Sequence, residues 1–441
     1  MTRVPTLSVC VPSRNRQIYF QQTIDGLLKR GRDGVQFIFA DNSDDPSIMN
    51  DFMAERVADG RVIYLPSTGK TLSMMDNWER TIEAATGEWV SFIGDDDFID
   101  PELAGLLERV GRVSPDIEAF SWSALTYSWP YQDEPPGTIN LPYERGVIRL
   151  PRHEPFRRMF GWFEPAAVPT SGFSIYHAAI HRNLLQRIHD KYEKRYFTHA
   201  VVDYDMAMKV ICEAQGFGFS MRPFSIFGAC PESNSFSIGR LEDTKKKAQI
   251  FLDEFGKNFE ADPELRDFPF SSFLGVTATI GVVQEVFRKK YNIKSPGWEK
   301  GYATACARNA EAYRQREAFD LINAGYEMAF KSWKGGRFLK DYAPVWKGDI
   351  PVEPVSGFTD STVMVRSDIA GVKNPAELWD VVLGMIVPVE ALQVDEDGLK
   401  GLERTELVSR DLRSKVANAQ NGKPARMPGN GKLQHLKGRR R

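Results

Sequence analysis

The sequence predicts an α/β fold built on a mostly parallel sheet flanked by helices, and two observations carry that expectation. Over the first hundred residues, short apolar runs alternate with amphipathic segments in a βαβαβ rhythm. Three of those apolar runs end in polar or acidic clusters, at residues 12–16, 41–45 and 95–97. The carboxyl ends of strands in such a sheet open onto one crevice, so all three clusters are expected around a single ligand site.

Taken in order, residues 7–11 read as a buried strand, residues 12–16 as a polar turn and residues 19–28 as an amphipathic helix. Residues 36–40 are a second strand closing on Asp41, Asn42, Ser43, Asp44 and Asp45, followed by a helix over 49–57 and a third strand over 61–65. Ser73 with Asp76 three residues on resembles a capping box, and Met74, Trp78, Ile82 and Ala85 recur at helical spacing until Gly87 ends the helix. Then comes WVSFIGDDD, residues 89–97, a short apolar run that delivers three adjacent carboxylates to the sheet edge. Such carboxylates repel one another and lower strand propensity, so they suit a place where a divalent cation or polar ligand offsets their charge. The competing reading is a solvated acidic turn ahead of a helix opened by Pro101. The two other strand-end clusters favour the cation.

Past Pro101, residues 119–129 and 146–150 look like strands, 133–137 like an exposed turn, and 156–169 is an aromatic, proline-bearing stretch suited to lining a cleft or covering the sheet. A helix over 203–214 and a closing strand over 217–227 bring the first domain, residues 1–235, to its end. Residues 236–415 read as a mainly helical C-terminal domain, with lysines at 245–247, an apolar helix near Phe273, helical signals over 303–330 and another over 376–386. Residues 416–441 form a basic, Gly- and Pro-containing tail expected to be disordered. That tail reads either as a solubilising extension or as an electrostatic tether to anionic lipid, in peripheral membrane contact, or to nucleic acid.

Composition narrows the function classes. The 441 residues exceed one compact core, and a formal net charge of -2 gives no global attraction to polyanions, so a nucleic-acid partner is not expected. The four cysteines, Cys10, Cys212, Cys230 and Cys306, are widely separated without zinc-site spacing, and the first residues lead straight into a strand. Reduced thiols in the cytoplasm are the expectation. The string Gly69-Lys70-Thr71 fails as a phosphate loop because Tyr64 stands where that motif needs glycine. A nucleotidyltransferase, which shares the sheet type, needs a glycine-rich loop after the first strand, and residues 12–16 contain no glycine.

The remaining chemistry fits one crevice. A carboxylate at Asp41 can accept hydrogen bonds from the N–H groups of uracil or guanine, although an aspartate there can equally bond its own turn. Lys70, after the third strand, adds a positive charge for phosphate or is a solvated loop residue. Asp95, Asp96 and Asp97 offer the oxygen ligands that Mn2+ or Mg2+ prefers. Asp203 shares a helical face with Ala207, Val210 and Ile211 and so points towards the core, whereas Asp205, in step with Lys209 and Glu213, reads as a solvated pair. Asp203 is therefore a candidate base or a helix cap. His177, His181 and His199 carry no supporting pattern and read as packing or surface residues.

The segments SVCVPSRNR (8–16), ADNSDD (40–45), NWERTIEAATGEWVSFIGDDD (77–97) and DYDMAMK (203–209) together resemble family 2 glycosyltransferases of the GT-A fold. The resemblance implies an inverting transferase that moves a sugar from a nucleotide-diphosphate donor, UDP-linked by preference, to a hydroxyl of a glycan or lipid-linked acceptor. It implies that Pro12, Ser13, Asn15 and Asp41 contact the nucleoside, with Arg16 and Lys70 completing the donor set. Asp95 and Asp97 would frame the metal motif, with Asp97 the direct ligand and Asp96 serving the donor sugar or ribose. Asp203 would be the catalytic base, although Val202 replaces the acid that usually precedes it. A non-catalytic nucleotide-sugar-binding protein on the same fold, or a transferase acting on nucleic acid, would share these features.

Overall fold

A computed structural model describes residues 4–131, 136–163, 166–233, 238–255, 263–348 and 353–394. The basic tail, and with it the tether reading, lies outside the described residues, as does much of the turn expected at 133–137. Among the described residues no helix is long and apolar enough to cross a membrane.

The first half alternates as expected: β1 (Leu7–Ser13), α1 (Gln17–Lys29), β2 (Val35–Asp41), α2 (Ser47–Met53), β3 (Val62–Leu65), α3 (Met74–Ala84) and β4 (Trp89–Phe92). The Ser73 hydroxyl accepts from the Asp76 N–H and so caps α3 as its sequence suggests. Next come β5 (Phe98–Ile99), α4 (Leu103–Val113), β6 (Ile117–Trp122), β7 (Leu125–Ser128), β8 (Thr138–Pro142), β9 (Val147–Leu150), α5 (His153–Gly161), β10 (Ala178–His181), α6 (Arg182–Lys191), α7 (Val202–Glu213), β11 (Gly216–Ser220) and β12 (Ser225–Ala229). Eight of these strands form one sheet in the order β3-β2-β1-β4-β10-β6-β11-β9. Within it β10 runs antiparallel to β4 and β6, and β9 antiparallel to β11, so the sheet is mixed with a dominant direction.

Two expected single strands are each broken in two. Residues 119–129 become β6 and β7, and residues 217–227 become β11 and β12. In each pair the second strand leaves the main sheet and joins β5 in a small three-stranded sheet, β5-β12-β7. That small sheet sits directly after Asp97, and it is what brings the far end of the domain back to the acidic turn.

Period-two alternation distributes β1 and β2 between two cores. Leu7, Val9, Val11, Phe37 and Phe39 pack on one side with α1, α2 and α4, while Cys10 and Ile38 pack on the other with residues of α3, α6 and α7. A third core belongs to the helical unit of α8 (Leu241–Phe255), α9 (Val276–Lys290), α10 (Trp298–Ala310) and α11 (Arg316–Ser332).

The expectation of one helical domain over 236–415 needs revision. After α11 the chain returns to the first domain through β13 (Gly357–Phe358), β14 (Thr362–Arg366) and α12 (Pro375–Val382). β14 pairs antiparallel with β8, and Leu378, Trp379 and Val382 join the core that contains β1. Arg222 donates to the Val387 carbonyl at 2.7 Å and pairs with buried Asp100 at 3.1 Å, tying this returning strap to the segment just past the acidic turn. Trp379 packs 5.7 Å from Phe98, the residue after Asp97. Trp379→Ala should therefore lower the unfolding free energy by about 3–5 kcal/mol, as for large buried aromatics generally. Urea denaturation checks this, and a shift below about 1 kcal/mol would show that the strap is dispensable.

Candidate active site

The turn after β4 buries all three carboxylates: Asp95, Asp96 and Asp97 are 0%, 2% and 1% exposed. Charged groups cannot stay there unpaired. Asp95 accepts from the Ser13 hydroxyl at 2.6 Å and faces the Arg16 guanidinium at 2.6 Å. The same guanidinium lies 3.5 Å from Asp96, whose other oxygen accepts from the Cys230 N–H at 3.1 Å. Burial raises both carboxyls above the ordinary carboxylate range, and the Arg16 charge opposes it. Burial also works against the charge on Arg16, but Asp95 and Asp96 more than offset that, so the guanidinium stays protonated.

Asp97, expected as a metal ligand, is held by donors on both sides. Both its oxygens already accept hydrogen bonds: from the Gly94 N–H, the Gly228 N–H and the Tyr176 hydroxyl, each at 2.6 Å, and from the His177 ring at 2.8 Å. Burial alone would raise this carboxyl, but His177 and the other donors hold it below its usual range. His177, which sequence reasoning set aside, sits in the left-handed region at φ 55°. Its second ring nitrogen lies 2.7 Å from the Ser225 hydroxyl, which also accepts from the Trp122 indole at 2.7 Å. Ser225 thus links the Trp122 indole to one ring nitrogen, and the opposite nitrogen faces Asp97. At Gly228 only glycine fits, because a Cβ there would lie 1.7 Å from the Asp96 carbonyl oxygen.

The nucleoside end of the crevice forms where β1 and β2 finish together, with Pro12 opposite Ala40 and Ser13 opposite Asp41. Asp41 is fully buried; one oxygen accepts from the Ser43 N–H and hydroxyl, and the other has no hydrogen-bond partner. Burial raises its carboxyl. The turn bond expected of Asp41 is made by one oxygen, and the other is left without a partner. Asn15, left-handed at φ 56°, exchanges two 2.9 Å bonds with Asp44 and so staples the two strand-end turns together. Lys70 stands exposed in the loop between β3 and α3.

On the other side of Asp97 lies a cavity of about 530 Å³ whose lining includes Tyr176, His177 and Asp203. Asp203 sits in the first turn of α7, and its side chain accepts from the neighbouring Tyr204 N–H at 2.9 Å. Burial pushes its carboxyl up to about 6. Asp205 is the reverse of the solvated residue expected. It is 2% exposed, pairs with fully buried Lys209 at 2.8 Å and accepts from the Thr198 N–H at 2.7 Å. The face holding Asp205 and Lys209 is buried because the segment 196–201 folds over it, with the Tyr196 carbonyl accepting from Lys209. A buried pair of this kind is structural, which leaves Asp203 as the carboxyl facing the cavity.

Residues 8–185 match the model of Glycosyl transferase family 2. No curated protein sequence matches the chain. Solved structures with a similar chain path include S. aureus TarS 1-349 in complex with UDP-GlcNAc, at 13% identity over 76% of this chain and 89% of that one, with a TM-score of 0.41. A mannosyltransferase from Pyrobaculum calidifontis in complex with GDP-Man and Mn2+ is another, at 16% identity over 77% and 86%, with a TM-score of 0.35. Superpositions this loose carry no argument, so the site rests on its own geometry.

That geometry joins Ser13, Arg16, Asp95 and Asp96 directly, and it adds Tyr176, His177, Ser225 and Gly228 as supports of Asp97. Nothing in the sequence around His177 marks it, since its role depends on a strand pairing between distant segments. Tyr176→Phe removes one donor to a buried carboxylate without changing the ring, so it should cost about 1–3 kcal/mol of stability. It should also reduce turnover more than nucleotide affinity. A wild-type urea midpoint together with wild-type turnover would count against Asp97 as the organiser of the turn.

Proposed function

We propose that the chain is an inverting glycosyltransferase that moves a sugar from a nucleotide-diphosphate donor, a UDP-sugar first among the candidates, to a hydroxyl acceptor. The observation that carries this reading is the pairing of two environments across Tyr176 and His177. On one side Asp95 and Asp96 face a cationic guanidinium; on the other Asp203 stands in a cavity with its carboxyl raised to about 6. A donor with its base on the buried free oxygen of Asp41 would extend its diphosphate along the ends of β1 and β4 towards Asp95 and Asp96. The sugar then faces the cavity.

In the transfer step Asp203 takes the proton of the acceptor hydroxyl as that oxygen bonds to the anomeric carbon. The bond from that carbon to the diphosphate oxygen breaks, and the electron pair leaves with the nucleotide. One displacement of this kind inverts the anomeric centre. Arg16, at the diphosphate end, places its charge where the leaving group gains negative charge.

The carboxylates also suit a divalent ion. Asp95 and Asp96 each direct an oxygen at one guanidinium, and the Asp95 oxygen has no hydrogen bond. Among the described residues no cage of three or more His, Cys, Asp or Glu side chains is present, so the protein would contribute one or two carboxylates and the substrate phosphates the rest. Mn2+ or Mg2+ held by Asp95 and Asp96 would supply additional positive charge to the departing diphosphate. Asp97 would position these two rather than bind the ion. On this reading chelation should suppress transfer and Mn2+ should restore it, while Asp96→Asn should weaken the response to Mn2+ at least tenfold. Transfer that is indifferent to chelator would remove the metal from the reading.

Asp203 has a pH signature. Its folded-state value of about 6 lies above the ordinary 3.8, so the base form is available only above about pH 6. The rate should fall on the acid side with a midpoint near 6, and Asp203→Asn should lose about 10²–10⁴-fold in turnover. Because the folded state holds this proton more tightly than the unfolded chain, Asp203 costs stability as pH rises from 3.8 through about 6. Asp203→Asn should therefore melt higher than wild type at pH 8 and not at pH 3.5. An active, unshifted Asn variant would rule out Asp203 as the base.

A further inference from the structure

The cavity beside Asp203 is built for an apolar guest. Its walls include Trp122, Leu125, Met159, Tyr204, Phe219 and Phe227. The polar groups that line it are largely committed to the protein. Tyr176 and His177 donate to Asp97, Arg158 is held by Glu154 at 2.9 Å, and the Ser174 hydroxyl donates to the Asp203 carbonyl at 3.0 Å. A hydroxyl-rich guest entering here would give up its water against these apolar walls and committed groups, and each hydroxyl left without a partner costs on the order of 1–3 kcal/mol. An apolar guest would lose nothing of the kind and would gain from every wall it covers.

Ser121, Ser123, Thr126, Asn140 and Asp203 are the lining positions at which polar side chains break the apolar surface without being held by the bonds above. The Ser121 hydroxyl is buried, 1% exposed, and has no hydrogen-bond partner. Asp203 presents the carboxylate that would deprotonate an acceptor.

We propose that the acceptor is a compact alcohol with an apolar body, aromatic or alicyclic, whose reacting hydroxyl sits on Asp203, rather than a glycan chain. This rests on the transferase reading above and names its second substrate. The volume of about 530 Å³ falls in the range of small-molecule pockets.

The test is calorimetric, on the full chain, with 2-naphthol as the apolar alcohol and maltotriose as the glycan, each with and without UDP. The expected result is 2-naphthol binding at least tenfold tighter than maltotriose. Ala207→Phe, which fills the cavity from α7, should weaken 2-naphthol at least tenfold. Since Ala207 is in the core, Thr126→Trp at the exposed rim is the second variant; it should weaken 2-naphthol while melting at the wild-type temperature. Equal or tighter binding of maltotriose, no binding of either probe, or 2-naphthol binding that neither variant disturbs would overturn the proposal. A separate UDP titration distinguishes the two readings: silence there strikes the donor assignment and leaves the 2-naphthol result to be judged alone.

Discussion

Three carboxylates in sequence, each at most 2% exposed, exist in this protein because every one has been given a partner from another strand. Removing a carboxylate from water costs several kcal/mol even after the protein relaxes, so the fold is built around supplying those partners. Ser13 and Arg16 come from the end of β1 and the turn after it, Tyr176 and His177 from the turn into β10, and Gly228 and Cys230 from β12 and its end. Each requires a particular register: β4 between β1 and β10, and β12 against β5. The acidic turn is thus both a consequence of the sheet and a constraint on it.

The partners also divide the labour. Arg16 is shared between Asp95 and Asp96 on the side where β1 and β2 end, and a shared mobile cation is suited to being exchanged for, or joined by, other charges. Asp97 is saturated by four donors and cannot be so exchanged without leaving several of them unsatisfied. The path from Trp122 through Ser225 and His177 to Asp97 runs from the cavity wall to the carboxylate turn.

Support from outside the matched residues is equally physical. The returning strap packs Trp379 on Phe98 and ties Arg222 between Asp100 and the Val387 carbonyl. Asp100 and Phe98 flank the far side of the acidic turn, so residues late in the chain brace a site formed by its first hundred. Such bracing suits a two-residue strand like β5, which pairs with β12 through only two residues and could not hold its geometry alone.

The sequence by itself determined the alternation of strands and helices, the three polar strand ends, the cap at Ser73 and the helix that carries Asp203. Those features are local: apolar period, turn residues and capping chemistry are written in neighbouring positions. Tertiary structure decided everything that depends on who meets whom. It sent the second halves of two expected strands into a separate sheet, returned the chain after α11 to the first core, and buried Asp205 under a loop that the helical face alone does not reveal. It also withdrew Asp97 behind Tyr176 and His177, about 80 residues away in sequence, because only the antiparallel docking of β10 beside β4 brings those donors within reach. Periodicity records which way a side chain points from its own strand or helix; which partner waits there is a property of the packed sheet.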